Sequence, residues 1–222
     1  MKRDYYCRIE WPSTDVMHLY ATAISDRYPQ LPNAFGFVDG TRMKIRRPAN
    51  PITQARYYNA KDKTNVACVL TFAPDGTIIN AHLNHAGSEH DVTAARKLYP
   101  LLRTTADDYY LLGDQGFKMT SNLLSPIRWN QRVTVAEHAA WDKLKGSHKA
   151  ARQAAEWGMR QFKLNNILNT ILPFDTLYLY EIMDVAAHLV NFRARVGYSE
   201  IRAVYWNSAS QQQLEDIELH AD

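Results

Sequence analysis

A mixed α/β fold, a sheet flanked by helices with three antiparallel strands first, is what this sequence predicts, and three features predict it. Two β-branched apolar runs, Val66 to Phe72 and Thr77 to Leu83, are joined by Ala73-Pro74-Asp75-Gly76, the composition of a hairpin turn. Two further apolar runs, around Phe35-Gly36-Phe37-Val38-Asp39 and over Tyr109 to Asp114, carry an aspartate and read as strands. Beyond Lys149 the pattern turns helical: Ala150, Ala151, Ala154 and Ala155 favour helix, and Leu177 to Val196 reads as a second long helix.

The elements follow in order. Asp15 to Tyr28 is expected to form a short amphipathic helix, with Val16, Tyr20, Ile24 and Tyr28 at helical spacing and Pro29 and Pro32 ending it. The first strand continues past Asp39-Gly40 into Met43 and Ile45. Pro48 to Lys63 is polar and proline-containing and predicts a loop. After the hairpin, a helix is expected from about His90 to Tyr99, with Ser88 as its N-cap. Residues 118–148 are mixed, with weak helical signals around Val135 to Lys145. Strand, hairpin, helix, strand, insert, helix, helix is the order of an α/β layer on a mixed sheet. The organisation expected is a lead-in helix and linker over 1–33, a core domain over 34–206 and a flexible tail over 207–222.

Composition narrows the classes of function. The 222 residues suit one domain, and 46% hydrophobic residues supply a core. No run approaches the roughly 18 apolar residues of a membrane span, and residues 1–10 have no apolar stretch like that of a secretory signal. Cys7 and Cys68 are the only cysteines, too few for a disulfide framework or a four-thiolate zinc site, so a reducing intracellular compartment is expected. A net charge of +3 permits nucleic-acid binding without arguing for it.

Three acids stand where strands and a helix could bring them together. Asp39 lies on the first strand, Asp114 ends the fourth, and Glu156 sits on the late helix. Clustered carboxylates repel unless cations neutralise them. Hard oxygen ligands select Mg²⁺ or Mn²⁺, and a pair of such ions can activate a nucleophile and stabilise a leaving oxygen. Asp-Gly is equally an ordinary turn signal, and a lone helical glutamate is commonly solvated, so spacing leaves both readings open.

The words around the acids carry more. Gly36-Phe37-Val38-Asp39-Gly40-Thr41, Gly87-Ser88-Glu89-His90-Asp91 and Leu111-Leu112-Gly113-Asp114-Gln115-Gly116-Phe117 resemble, in order, the successive motifs of the PIF/Harbinger superfamily of DDE transposases. Ala155-Glu156-Trp157-Gly158-Met159-Arg160-Gln161-Phe162-Lys163 is the looser counterpart of that family's glutamate helix, with Ala155 and Met159-Arg160 departing from its pattern. The resemblance implies an RNase H-like fold, a DDE triad of Asp39, Asp114 and Glu156, and Mg²⁺ (or Mn²⁺) as two bound ions. It also implies cleavage of DNA ends, with strand transfer in active members, and a nuclear site of action. Asp91 stands in a family motif as an auxiliary acid, although its place at a helix start equally fits stabilisation by the helix dipole. The residues ahead of the first motif hold one helix at most, so target choice is expected of a separate DNA-binding partner protein.

Lys44, Arg46 and Arg47 follow the first strand, and Arg152, Arg160 and Lys163 lie on the glutamate helix; all six are candidate contacts to a DNA backbone or plain surface charge. Trp157 reads as core rather than a base-stacking residue, and Tyr57 and Tyr58 could be either. His82, His85 and His90 with Cys68 fit no common zinc spacing. No Ser-His-Asp order, phosphate loop or dinucleotide fingerprint is present. Two other functions stay open: a domesticated derivative acting as a non-catalytic DNA-binding or interaction protein, and a metal-dependent hydrolase of RNA or small phosphoesters.

Overall fold

The computed structural model describes residues 5–106, 108–127 and 134–220. Among these residues six strands form the sheet: β1 (Ala34–Lys44), β2 (Tyr58–Asn59), β3 (Lys63–Phe72), β4 (Ile78–Ala86), β5 (Tyr110–Leu112) and β6 (Leu123–Leu124). β3 pairs antiparallel with β1 on one side and β4 on the other, and β2 pairs with the start of β3. The other edge of β1 takes β5 and then β6, both parallel. This is the mixed sheet expected from the sequence, in the layout of an RNase H-like nuclease.

Eight α-helices accompany the sheet among the described residues: α1 (Thr14–Ser25), α2 (Pro51–Tyr57), α3 (Asp91–Ala94), α4 (Leu98–Thr104), α5 (Val135–Lys163), α6 (Thr176–Arg195), α7 (Glu200–Tyr205) and α8 (Ser208–Leu219). The alternation of side chains along β1 sends Phe37 to one face of the sheet and Val38 to the other. Phe37, Leu70, Phe72 and Leu112 pack with Ala151, Ala155 and Phe162 of α5 and with Met183 and Val190 of α6. Val38, Val69, Leu111 and Leu123 pack on the opposite face with Tyr20 of α1, Leu98 and Leu102 of α4 and Leu214 of α8.

Four local expectations differ from what forms. Pro51, read as a loop residue, opens α2, where the Asn50 side chain accepts the Ile52 and Thr53 N–H groups at 2.9 and 3.2 Å; a proline in the first turn lacks only a donor that has no intrahelical acceptor. The helix expected over 90–99 is divided into α3 and α4, and Ser88 does not cap it but gives its N–H to the Arg56 carbonyl. α5 starts at Val135 rather than near Lys149, because Thr134 and Glu137 form a reciprocal capping box, and it runs for 29 residues. Residues 208–219, expected to be frayed, form α8, capped by Asn207 and anchored by buried Leu214.

Two glycines position the parts. At Gly76 φ is 86°, and an added Cβ would lie 2.1 Å from Ser199 Oγ, so the hairpin turn can close only without a side chain. At Gly158 a Cβ would lie 2.6 Å from the Phe72 ring, so glycine lets α5 settle onto β3 beside Glu156.

Candidate active site

Asp39 stands on β1, and Asp114 lies two residues past the end of β5, the parallel neighbour of β1, rather than ending that strand as the sequence suggested. The register pairs Phe37 with Leu112, the last paired residue of β5, and each aspartate follows two residues later in its chain. Along β1 the alternation of side chains puts Asp39 on the face of Phe37, the face covered by α5, and the Asp114 carboxylate acts electrostatically on His148 of that helix. Each carboxylate is steadied by the backbone just after it: Asp39 Oδ1 accepts the Gly40 N–H at 2.9 Å, and Asp114 Oδ1 accepts the Gly116 N–H at 2.8 Å. These are the glycines that follow the aspartates in the motif words, and a residue without a side chain gives the backbone room to turn back.

α5 brings the third acid. His148, Arg152 and Glu156 follow one another at intervals of four and form one stripe along the helix. Arg152 Nη2 donates to Glu156 Oε1 at 3.2 Å, and its Nη1 lies 3.6 Å from Asp39 Oδ2. One guanidinium thus bridges the strand aspartate and the helix glutamate. Glu156 Oε2 accepts from Gln153 Nε2 at 2.8 Å, so both oxygens of this half-exposed carboxylate are turned back along α5. His148 is buried, and its Nε2–H donates to the Leu124 carbonyl at 3.2 Å. Burial pushes the His148 pKa down, Arg152 adds to that, and the Leu124 and Gly113 carbonyls and Asp114 oppose it.

The other candidates fall elsewhere. Asp91 is the first residue of α3, and its side chain lies outside the described residues. Lys44, Arg46 and Arg47 are exposed near the far end of β1, and at about 3.4 Å per residue Lys44 stands roughly 17 Å along the strand from Asp39. Arg160 is exposed and ion-paired with Glu200 of α7, while Lys163, at the end of α5, is half-buried. Trp157 packs at the margin of the core, Tyr57 is buried edge-on against Phe174, and Tyr58 is exposed. Sequence reasoning passed over His148 and the bridging position of Arg152. The signal for both was the spacing of four residues back from Glu156.

A profile described as DDE superfamily endonuclease matches residues 38–191, well over half of the chain. The chain belongs to the DDE superfamily endonuclease family. Comparisons with curated proteins and with solved structures found no match. In this chain the matched span contains Asp39, Asp114 and the whole His148–Glu156 stripe. The superfamily generally uses divalent metal ions, and the donor set in the cleft is carboxylate oxygen, the chemistry that hard divalent ions take. Asp39 and Asp114 carry that donor chemistry. Among the described residues no three acid, histidine or cysteine side chains are gathered as a metal cage, and the Glu156 carboxylate is engaged by Arg152 and Gln153.

Proposed function

We propose that this DDE superfamily endonuclease is a divalent-metal-dependent DNA nuclease of the transposase type, with Asp39, Asp114 and Glu156 as its acidic triad. The observation that supports the reading is that Arg152 of α5 lies 3.6 Å from Asp39 and 3.2 Å from Glu156, so β1 and the helix bring two of the three acids to one guanidinium. The motif words point within the family to the PIF/Harbinger branch, whose action on mobile-element DNA makes the nucleus the expected place of work.

The two aspartates, joined by Glu156, would hold Mg²⁺ or Mn²⁺, which supply activation of a water or 3′-hydroxyl and stabilisation of the leaving oxygen when bound. The chain's own groups prepare the site. The Gly40 and Gly116 N–H groups fix one oxygen of each aspartate and so hold the carboxylates in place. His148 donates to the Leu124 carbonyl of β6, which also accepts the Gly113 N–H, and so supports the backbone just before Asp114 without adding a positive charge near neutral pH. Lys44, Arg46, Arg47 and Lys163 are available to screen the phosphates of a bound duplex, and choice of target would fall to a separate DNA-binding partner.

Nicking of supercoiled plasmid tests this reading. Activity should require Mg²⁺ or Mn²⁺, cease with EDTA, and fall by about 100-fold or more in Asp39→Asn and in Asp114→Asn. Nicking by Asp39→Asn at the wild-type rate would defeat both the triad and the catalytic assignment.

A further inference from the structure

We propose that Arg152 is the resident cation of the acidic cleft, a guanidinium standing between Asp39 and Glu156 that binding of a divalent ion must displace. The proposal rests on the metal-dependent reading above and concerns what holds the cleft together before an ion arrives.

Geometry supports it from three directions. Arg152 is the group that touches both carboxylates, with Nη1 3.6 Å from Asp39 Oδ2 and Nη2 3.2 Å from Glu156 Oε1. Its side chain is only 22% exposed, so it is packed in the cleft rather than trailing in solvent. Nη1 is buried and makes no hydrogen bond. A buried donor left without an acceptor is unfavourable, so charge, and not hydrogen-bond geometry, keeps this end of the guanidinium at Asp39.

Two consequences follow from Coulomb's law. Without an ion, the carboxylates of Asp39, Asp114 and Glu156 repel one another, and Arg152 offsets that repulsion. A divalent ion brought to Asp39 would meet the guanidinium at close range in a partly dry cleft, where repulsion between cations is strong. The two arrangements therefore exclude each other. Glu156 is the element that changes partner: its carboxylate lies back along α5 while paired with Arg152 and Gln153 and becomes free to turn toward Asp39 when that pairing breaks. The nuclease would then be held in a metal-poor resting form until an ion, aided by phosphate as a new partner for the arginine, takes over the acids.

Calorimetric titration with MnCl₂ at constant ionic strength tests the exclusion, using wild type, Arg152→Gln and Asp39→Asn. Removing the competing cation should tighten Mn²⁺ binding by about 5- to 100-fold, the usual range for coupled sites, and Asp39→Asn should abolish it. A second measurement uses the wild type alone: protein labelled with ¹⁵N-arginine, its Arg152 Nε–H signal identified by loss in Arg152→Lys, is titrated with MgCl₂. That signal should move in step with saturation, whatever the folding of Arg152→Gln. Equal Mn²⁺ affinity in wild type and Arg152→Gln with binding lost in Asp39→Asn, or an Arg152 signal unmoved at saturation, overturns the proposal and leaves the metal site standing. No Mn²⁺ binding by wild type or Arg152→Gln overturns both.

Discussion

Asn191 is wholly buried in α6 and acts as a clamp between elements. Its Oδ1 accepts the Ile78 N–H at 2.6 Å, and its Nδ2 donates to the Ile78 carbonyl at 2.9 Å and the Arg8 carbonyl at 2.6 Å. The amide shares the part-buried Arg8 carbonyl with Arg195 Nη1 and satisfies the two buried backbone groups of Ile78. Truncation in Asn191→Ala leaves them unpaired, and urea denaturation should show a loss of about 2–4 kcal/mol; a loss under about 1 kcal/mol would mean that water replaces the amide. Asp75 works in the same way in the hairpin turn, where Oδ1 accepts the Thr77 N–H and hydroxyl and Oδ2 accepts the Tyr20 hydroxyl. Asp75 and Asp39 look alike in the sequence, each followed by glycine. The structure separates them by surroundings: Asp75 is enclosed by donors, whereas Asp39 keeps one oxygen turned to a cation in the cleft.

α5 is the element on which the site depends, because its seat on the sheet sets where His148, Arg152 and Glu156 stand. Small residues make that seat: Ala151, Ala154, Ala155 and Gly158 are all buried against the strands. Gly158→Ala should gain about 1 kcal/mol of helix propensity but push a methyl group into the fully buried Phe72 ring. Overpacking costs about 1–3 kcal/mol, so a net loss of stability is expected by denaturant titration, with nicking reduced as the helix shifts. A variant more stable than wild type would show that Phe72 yields and that the seat is looser than drawn here. The helix was only partly legible beforehand. Its alanines announce the second half, but residues 135–148 carry mixed signals that tertiary packing and the Thr134–Glu137 cap resolve into the same helix.

At the scale of the whole molecule, buried titratable groups make stability depend on pH. Burial lowers the His82 pKa from 6.5 to about 4, with His85 and Lys97 adding to the effect, and its Nε2 has no hydrogen-bond partner. The folded state therefore keeps this ring neutral while the unfolded chain takes up a proton below its usual value of 6.5. The sign follows: the contribution is complete above about pH 6.5 and is lost as pH falls toward about 4. Urea midpoints should drop between about pH 7.5 and pH 5, and His82→Leu should shrink that drop. An equal drop in wild type and His82→Leu would place the dependence on other groups.

Much of this protein could be read locally. Strands β1, β3, β4 and β5 and the hairpin turn at Asp75-Gly76 are set by short patterns: alternation of apolar residues, β-branching and turn composition act over a few residues. β2 and β6, by contrast, fall in segments read as loop or mixed. The tertiary structure alone decided what Asp39 and Asp114 do together. The pairing of Phe37 with Leu112 brings the chain that bears Asp39 beside the chain that runs on to Asp114, and nothing within a few residues of either fixes that pairing. The bridge made by Arg152 likewise depends on how deeply α5 sits on β3, which is a matter of packing between segments far apart in the chain.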